Sequence, residues 1–147
     1  GDKAPEFALK DQNGDTVTLA GFAGGKLLIY FFPKADTPGC TAQSCNVRDA
    51  MPDLGKTGIA AVGISPDPPD KQKKFDDKYG LGFPLLSDPD HEVAVAYGVW
   101  GKKKMYGKEY EGIVRSSFLV DEHGRIMRAW YKVSPSETVP NALAAIG

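Results

Sequence analysis

The chain has little with which to staple, chelate or span. Only two cysteines occur in 147 residues, too few for the disulfide frameworks that very small domains need. A domain of this length buries roughly 70% of its unfolded surface through its core alone. The pair is therefore expected to be chemical rather than structural. Histidine is equally scarce: His91 and His123 are the two present, each with an acidic neighbour and neither at a ligand-like spacing, so both read as surface-loop residues. No metal and no cofactor are expected. A copper carrier built on two cysteines and a distant histidine would place its cysteines closer together.

Long apolar runs are also missing. None approaches the ~20 residues of a membrane span. The formal net charge is −1, which gives no general pull toward nucleic acid or an anionic membrane surface. Lys102–Lys104 reads as a solvated turn in a Gly-rich loop rather than a docking patch. There is no repeat, no low-complexity tract and no linker, so residues 1–147 read as one domain. No leader sequence is evident, and the cytoplasm is the expected compartment.

What is present is an orderly series of buried strands and helices. Two short apolar segments flank Asn13-Gly14, which predicts an N-terminal β-hairpin. Lys26–Phe32 and Gly58–Ser65 are nearly unbroken apolar runs, as in central strands covered on both faces. Thr41 to about Leu54 fits a helix between them, with Pro52 expected to kink or end it. This gives a right-handed βαβ crossover. A polar helix with Phe75 and Tyr79 one turn apart follows. Then come a short strand at Phe83–Leu86, a short helix capped by Asp90, a β-hairpin turning at Glu122–Gly124, and a C-terminal helix. The class is α/β: a thioredoxin-like fold, with a mixed central sheet and helices on both faces.

Both cysteines fall where the first buried strand gives way to its helix, in "PKADTPGCTAQSC". Ligands of open α/β sheets favour the carboxyl ends of the strands. A cysteine in the first helical turn faces unpaired N–H groups and the positive end of the helix dipole, and both favour thiolate over thiol. Cys40 is thus placed to be a nucleophile. Five residues along an ideal helix advance it about 7.5 Å and rotate it about 500°, leaving the Cα atoms of Cys40 and Cys45 about 8.6 Å apart. A disulfide tolerates about 7 Å. If both residues are helical, they can join only after that turn unwinds.

The segment "PKADTPGCTAQSCNVRD" resembles the active site of the peroxiredoxin Q group, also called bacterioferritin comigratory proteins. Pro33, Thr37 and Cys40 match the P-x-x-x-T-x-x-C pattern of peroxiredoxins. The likeness continues through "LLSDPDHEVAVAYGVWG" and "GIVRSSFLVDEHG". The resemblance implies a thiol-dependent peroxidase in which Cys40 attacks hydrogen peroxide or an organic hydroperoxide and becomes a sulfenic acid. Cys45 would resolve it as an intramolecular disulfide, reduced in turn by thioredoxin or a similar dithiol donor. Thr37 would hydrogen-bond to thiolate and peroxide, and Arg115 would stabilise the thiolate and the departing oxygen. Pro33 and Pro38 would shape the substrate pocket, the backbone N–H groups around Gly39 and Cys40 would add to the stabilisation by Arg115, and the Gln43 amide would hydrogen-bond in the pocket. Arg48 is read as an orienting or structural residue on the helix. A monomer is expected.

Two other redox classes fit the same residues. A general thiol–disulfide oxidoreductase would want both cysteines on one helical turn, so that the bond forms without unfolding. A non-enzymatic peroxide or thiol sensor could use the same sulfenic acid and disulfide, but would react once where an enzyme turns over.

Overall fold

The structure is a computed structural model that describes residues 2–56, 58–105, 108–131 and 135–146. The side chains of Pro38, residues 102–110, and residues 135, 145 and 146 lie outside the described set. The chain begins with the expected hairpin, β1 (Ala8–Lys10) and β2 (Thr16–Thr18). Its turn is closed by Asp11, whose carboxylate accepts the N–H groups of Asn13 and Asp15. Gly14 occupies the left-handed region at φ 84°, where glycine carries no steric cost.

The crossover follows as β3 (Lys26–Phe31), α1 (Pro38–Lys56) and β4 (Ile59–Ser65). Then come α2 (Pro69–Tyr79), β5 (Leu85–Ser87) and α3 (Glu92–Ala96). Strands β6 (Trp100–Met105) and β7 (Lys108–Ile113) form a separate two-stranded sheet. The chain ends with β8 (Ser116–Val120), β9 (Ile126–Trp130) and α4 (Thr138–Ile146). The seven-stranded sheet runs β2-β1-β5-β4-β3-β8-β9. It is mixed: β4 is parallel to β3 and β5, whereas β8 is antiparallel to β3 and β9.

Alternation along β3 divides the core. Leu27, Ile29 and Phe31 pack with Val62, Ile64, Leu86 and Phe118 on one face, covered by Val93 and Ala94 of α3 and by Phe7. Leu28 and Tyr30 face the other way, toward Val47 and Leu54 of α1, Phe75 of α2 and Ala142 of α4. The sheet is therefore covered on both faces, as its apolar strands require. Cys40 belongs to the second of these layers.

The helices depart from expectation in instructive ways. α1 starts three residues before Thr41, because Pro38 is its first residue, where a missing N–H costs nothing and φ is already helical. It also runs past Pro52 to Lys56. Leu54, fully buried against the sheet, anchors the turn that a proline would otherwise end. α3 is capped by Asp88 rather than Asp90: its two carboxylate oxygens accept the N–H groups of Val93 and Ala94 at 3.3 and 3.0 Å. The strand expected at Phe83–Leu86 begins at Leu85. Lys102–Lys104 lies in β6 instead of a loop, and its side chains fall outside the described residues, as do those of Tyr106 and Tyr110.

The cap at Asp88 is open to a simple test. Asp88→Ala removes both amide acceptors from a 3% exposed site, and should cost about 0.5–2 kcal/mol in urea unfolding. Asp90→Ala should cost distinctly less, and equal losses would contradict the assigned cap.

Candidate active site

The site lies where β3 stops. Pro33 follows the strand as a half-buried residue, and the segment to Thr37 must reverse direction before α1 can begin. Asp36 takes a left-handed conformation at φ 59°, uncommon for a residue with a Cβ. It is held there by three donations: Lys78 Nζ at 3.0 and 3.2 Å, and Tyr79 Oη at 2.8 Å. Those hydrogen bonds, led by Lys78, hold its carboxyl below the usual aspartate range. Asp67, buried beside β4, accepts the Ala35 N–H at 2.6 Å and the Ser65 hydroxyl at 2.8 Å. The loop is thus tied to α2 through Asp36 and to the end of β4 through Asp67.

Within α1 the first amide claimed is that of Thr41, by the Thr37 carbonyl at 2.7 Å. The amides of Gly39 and Cys40 sit ahead of it, where helix N–H groups have no intrahelical acceptor. Cys40 is 1% exposed. Its sulfur accepts a hydrogen bond from Arg115 Nη2 at 3.2 Å. The other arm of the same guanidinium, Nη1, donates to Gln43 Oε1 at 2.6 Å. Gln43 Nε2 donates onward to Thr138 Oγ1 at 2.8 Å. Arg115 reaches the sulfur from the two-residue link between β7 and β8, and Thr138 meets the Gln43 amide from the first turn of α4.

Tyr30 closes the site from below. Its ring lies over Gly63, its register partner on β4, where a Cβ would come within 2.7 Å of the ring. Its hydroxyl shares a 2.8 Å hydrogen bond with Ser44 of α1. Burial drives the phenol pKa far above the ordinary value, while the Ser44 hydrogen bond and Arg115 pull the other way. Tyr30 is a protonated anchor for α1.

Cys45 also lies in α1, half-buried against the same apolar layer. Both thiols are free. Since both residues are helical, the separation of about 8.6 Å derived from helix geometry applies, beyond disulfide reach. Arg48, one turn on, donates to the Tyr79 carbonyl at 2.6 Å and to Asp49 at 2.9 Å, so it joins α1 to the end of α2 as a structural residue.

Of the residues expected at the site, Cys40, Gln43 and Arg115 come together, with Gly39 beside them in the chain. Thr37 is placed differently from expectation: its hydroxyl donates to the Lys34 carbonyl at 2.9 Å. A threonine ahead of a helix readily closes a turn this way. The Pro38 side chain lies outside the described residues. Asp36, Asp67, Tyr30, Ser44 and Thr138 were missed by sequence reasoning. The one signal was Tyr30, a hydroxyl inside an otherwise apolar strand. Among the described residues, no three His, Cys, Asp or Glu side chains group to hold a metal ion, and no helix is long and apolar enough to cross a membrane.

A buried cysteine at a helix start, gripped by an arginine fork on a mixed α/β sheet, defines a thiol-based redox enzyme. Residues 1–129 match the model of the AhpC/TSA family. Peroxiredoxin Bcp of Escherichia coli K12 is 52% identical over 126 residues, 86% of this chain and 81% of that protein. Peroxiredoxin Bcp of Bacillus subtilis is 42% identical over 146 residues, 99% of this chain and 93% of that protein. A solved structure of the Xanthomonas campestris bacterioferritin comigratory protein, described for its alkyl peroxide reduction activity, superposes with a TM-score of 0.89. It is 37% identical and covers 95% of this chain and 89% of that one. The chain belongs to the AhpC/TSA family, in its peroxiredoxin Q (Bcp) group, and has the thioredoxin-like fold of that group. It is a thiol-dependent peroxidase.

Asp67 tests how the loop is held. Asp67→Ala leaves the Ala35 amide and the buried Ser65 hydroxyl without their shared acceptor, and should lower stability by about 1–3 kcal/mol. Amide exchange at Ala35 should quicken with it. Unchanged exchange at Ala35 would contradict the assignment.

Proposed function

We propose that the catalytic cycle runs through Cys40 and Cys45, with thioredoxin or a similar dithiol protein as electron donor. One observation carries this reading: the Arg115 hydrogen bond to Cys40, in a helix that keeps the second thiol out of reach. The Cys40 thiolate attacks the terminal oxygen of a hydroperoxide. The S–O bond forms as the O–O bond breaks, and the electron pair leaves on hydroxide or alkoxide, which takes a proton to become water or alcohol. Arg115, already at the sulfur, faces the charge that develops on the departing oxygen. The amides of Gly39 and Cys40 add to this field.

Thr37 keeps a role, with its polarity reversed. Its proton is committed to Lys34, so its lone pairs accept the hydroperoxide O–H and hold the substrate in line. Pro33 and Pro38 restrict water around the sulfur. Gln43 acts on the substrate through Arg115 rather than as a base.

In the second step the Cys45 sulfur attacks the sulfenic sulfur of Cys40. An S–S bond forms and the oxygen leaves as water. The donor's two thiols then reduce this disulfide and become a disulfide themselves. Both thiols lie in one chain, which supports a monomer of one domain, residues 1–147, as the working unit. A cytoplasmic setting would supply the reductant. The alkyl peroxide reduction described for the Xanthomonas campestris relative supports organic hydroperoxides as substrates beside hydrogen peroxide.

The test is peroxide consumption driven by thioredoxin, with intact mass after one equivalent of peroxide. Cys40→Ser should abolish turnover, and Cys45→Ser should stop at the sulfenic acid. Arg115→Met should slow Cys40 oxidation by roughly 10²–10³-fold, as when an oxyanion donor is removed. Wild-type turnover in Cys40→Ser would refute the cycle.

A further inference from the structure

Arg115 is oriented by a partner that itself has a partner. An arginine only donates, so the Gln43 atom facing it at 2.6 Å must be the amide oxygen. That fixes the other end: the amide nitrogen must donate, and it needs an acceptor. Gln43 and Thr138 are both 0% exposed, which leaves no bulk water to stand in. Thr138 Oγ1, at 2.8 Å, is that acceptor.

The geometry points to Thr138 as a positioning residue that acts on the two chemical steps in opposite directions. In the folded helix its hydroxyl locks the Gln43 amide, and the amide locks the guanidinium against the Cys40 sulfur. This favours oxidation of Cys40. Gln43, however, lies between Cys40 and Cys45 in the chain. When that stretch unwinds to bring the thiols together, Gln43 must leave Arg115 and Thr138. The hydrogen bond that aids the first step therefore holds back the second. The inference rests on the peroxidase cycle above, including its need for local unwinding.

A glutamate at position 43 would form the Arg115 contact without depending on Thr138. Its carboxylate can only accept, and would set a negative charge beside a thiolate. The amide avoids that charge at the cost of needing a defined acceptor on its far side. Thr138, 95 residues away on α4, meets that need.

The experiment measures two rates on the full chain with hydrogen peroxide, by rapid quenching, thiol alkylation and intact mass. Cys40 oxidation is followed in a Cys45→Ser background, and disulfide closure in single turnover with both cysteines present. Thr138→Val should slow oxidation and speed closure, each by about 3- to 10-fold, the range expected of one neutral hydrogen bond. Excess peroxide should then give less sulfinic acid, because the sulfenic acid is withdrawn sooner. Thr138→Ser, which keeps the hydroxyl, should restore both rates. Thr138→Ala removes the same hydroxyl without a branched side chain and repeats the test if Thr138→Val does not fold. Both steps slowed together, both unchanged, or a serine variant that behaves like valine would overturn the inference. Failure of the underlying cycle would look different: the parent chain, with Thr138 intact, would form no Cys40–Cys45 disulfide.

Discussion

The two-armed grip of Arg115 is the interaction on which the site depends. One arm meets the Cys40 sulfur and the other meets Gln43, so a single guanidinium joins the β7–β8 link to the first two turns of α1. An arginine can do this and a lysine cannot, because the planar fork offers two donors in fixed relation. The surrounding structure serves to present the sulfur to that fork. Tyr30 and Gly63 set the height of α1 above the sheet, Asp36 and Asp67 fix the loop leading into it, and Thr138 orients the amide beyond. Taking a charged guanidinium partly out of water has a desolvation cost, and hydrogen bonds to both its arms offset it.

In the proposed cycle the same helix must later give way. Fixing one residue's backbone costs about 1–2 kcal/mol of conformational entropy, whereas a typical hydrogen bond returns a net of only about 0.5–1.5 kcal/mol. The first turns of a helix, with amides already unpaired, therefore melt readily. What resists melting in α1 is mostly side-chain attachment: buried Cys40, Gln43 in its chain of hydrogen bonds, and Ser44 against Tyr30. Oxidation acts at the first of these. The fold thus holds the reactive conformation through a few contacts near the sulfur, not through the intrinsic stability of the helix.

The strands were legible because their chemistry is local and repetitive. Lys26–Phe32 and Gly58–Ser65 could be nothing but buried, and the thiols declared themselves by sitting behind a Pro-rich turn. Boundaries were harder. Pro52 argued for a kink in α1 or its end, but Leu54 packs the next turn onto the sheet, a tertiary effect with no local trace. Asp88 and Asp90 are equally good caps by composition, and only the path of the chain selects the first. Gln43 and Arg115 were both expected at the site through the resemblance, yet their pairing and the part of Thr138 were not, since Arg115 lies 72 residues from Gln43 and Thr138 95. Thr37 was expected to bond the sulfur, whereas its hydroxyl closes a turn onto the Lys34 carbonyl.

The central claim is that the spacing of Cys40 and Cys45 makes local unwinding a condition of forming their disulfide. Amide hydrogen exchange across α1 tests it most directly, comparing the reduced chain with one shown by mass to carry the disulfide. Protection is expected from about residue 41 to 45 in the reduced form and its loss in the oxidised form, with the core strands β3 and β4 unchanged. A disulfide chain whose α1 amides stay as protected as before would contradict it.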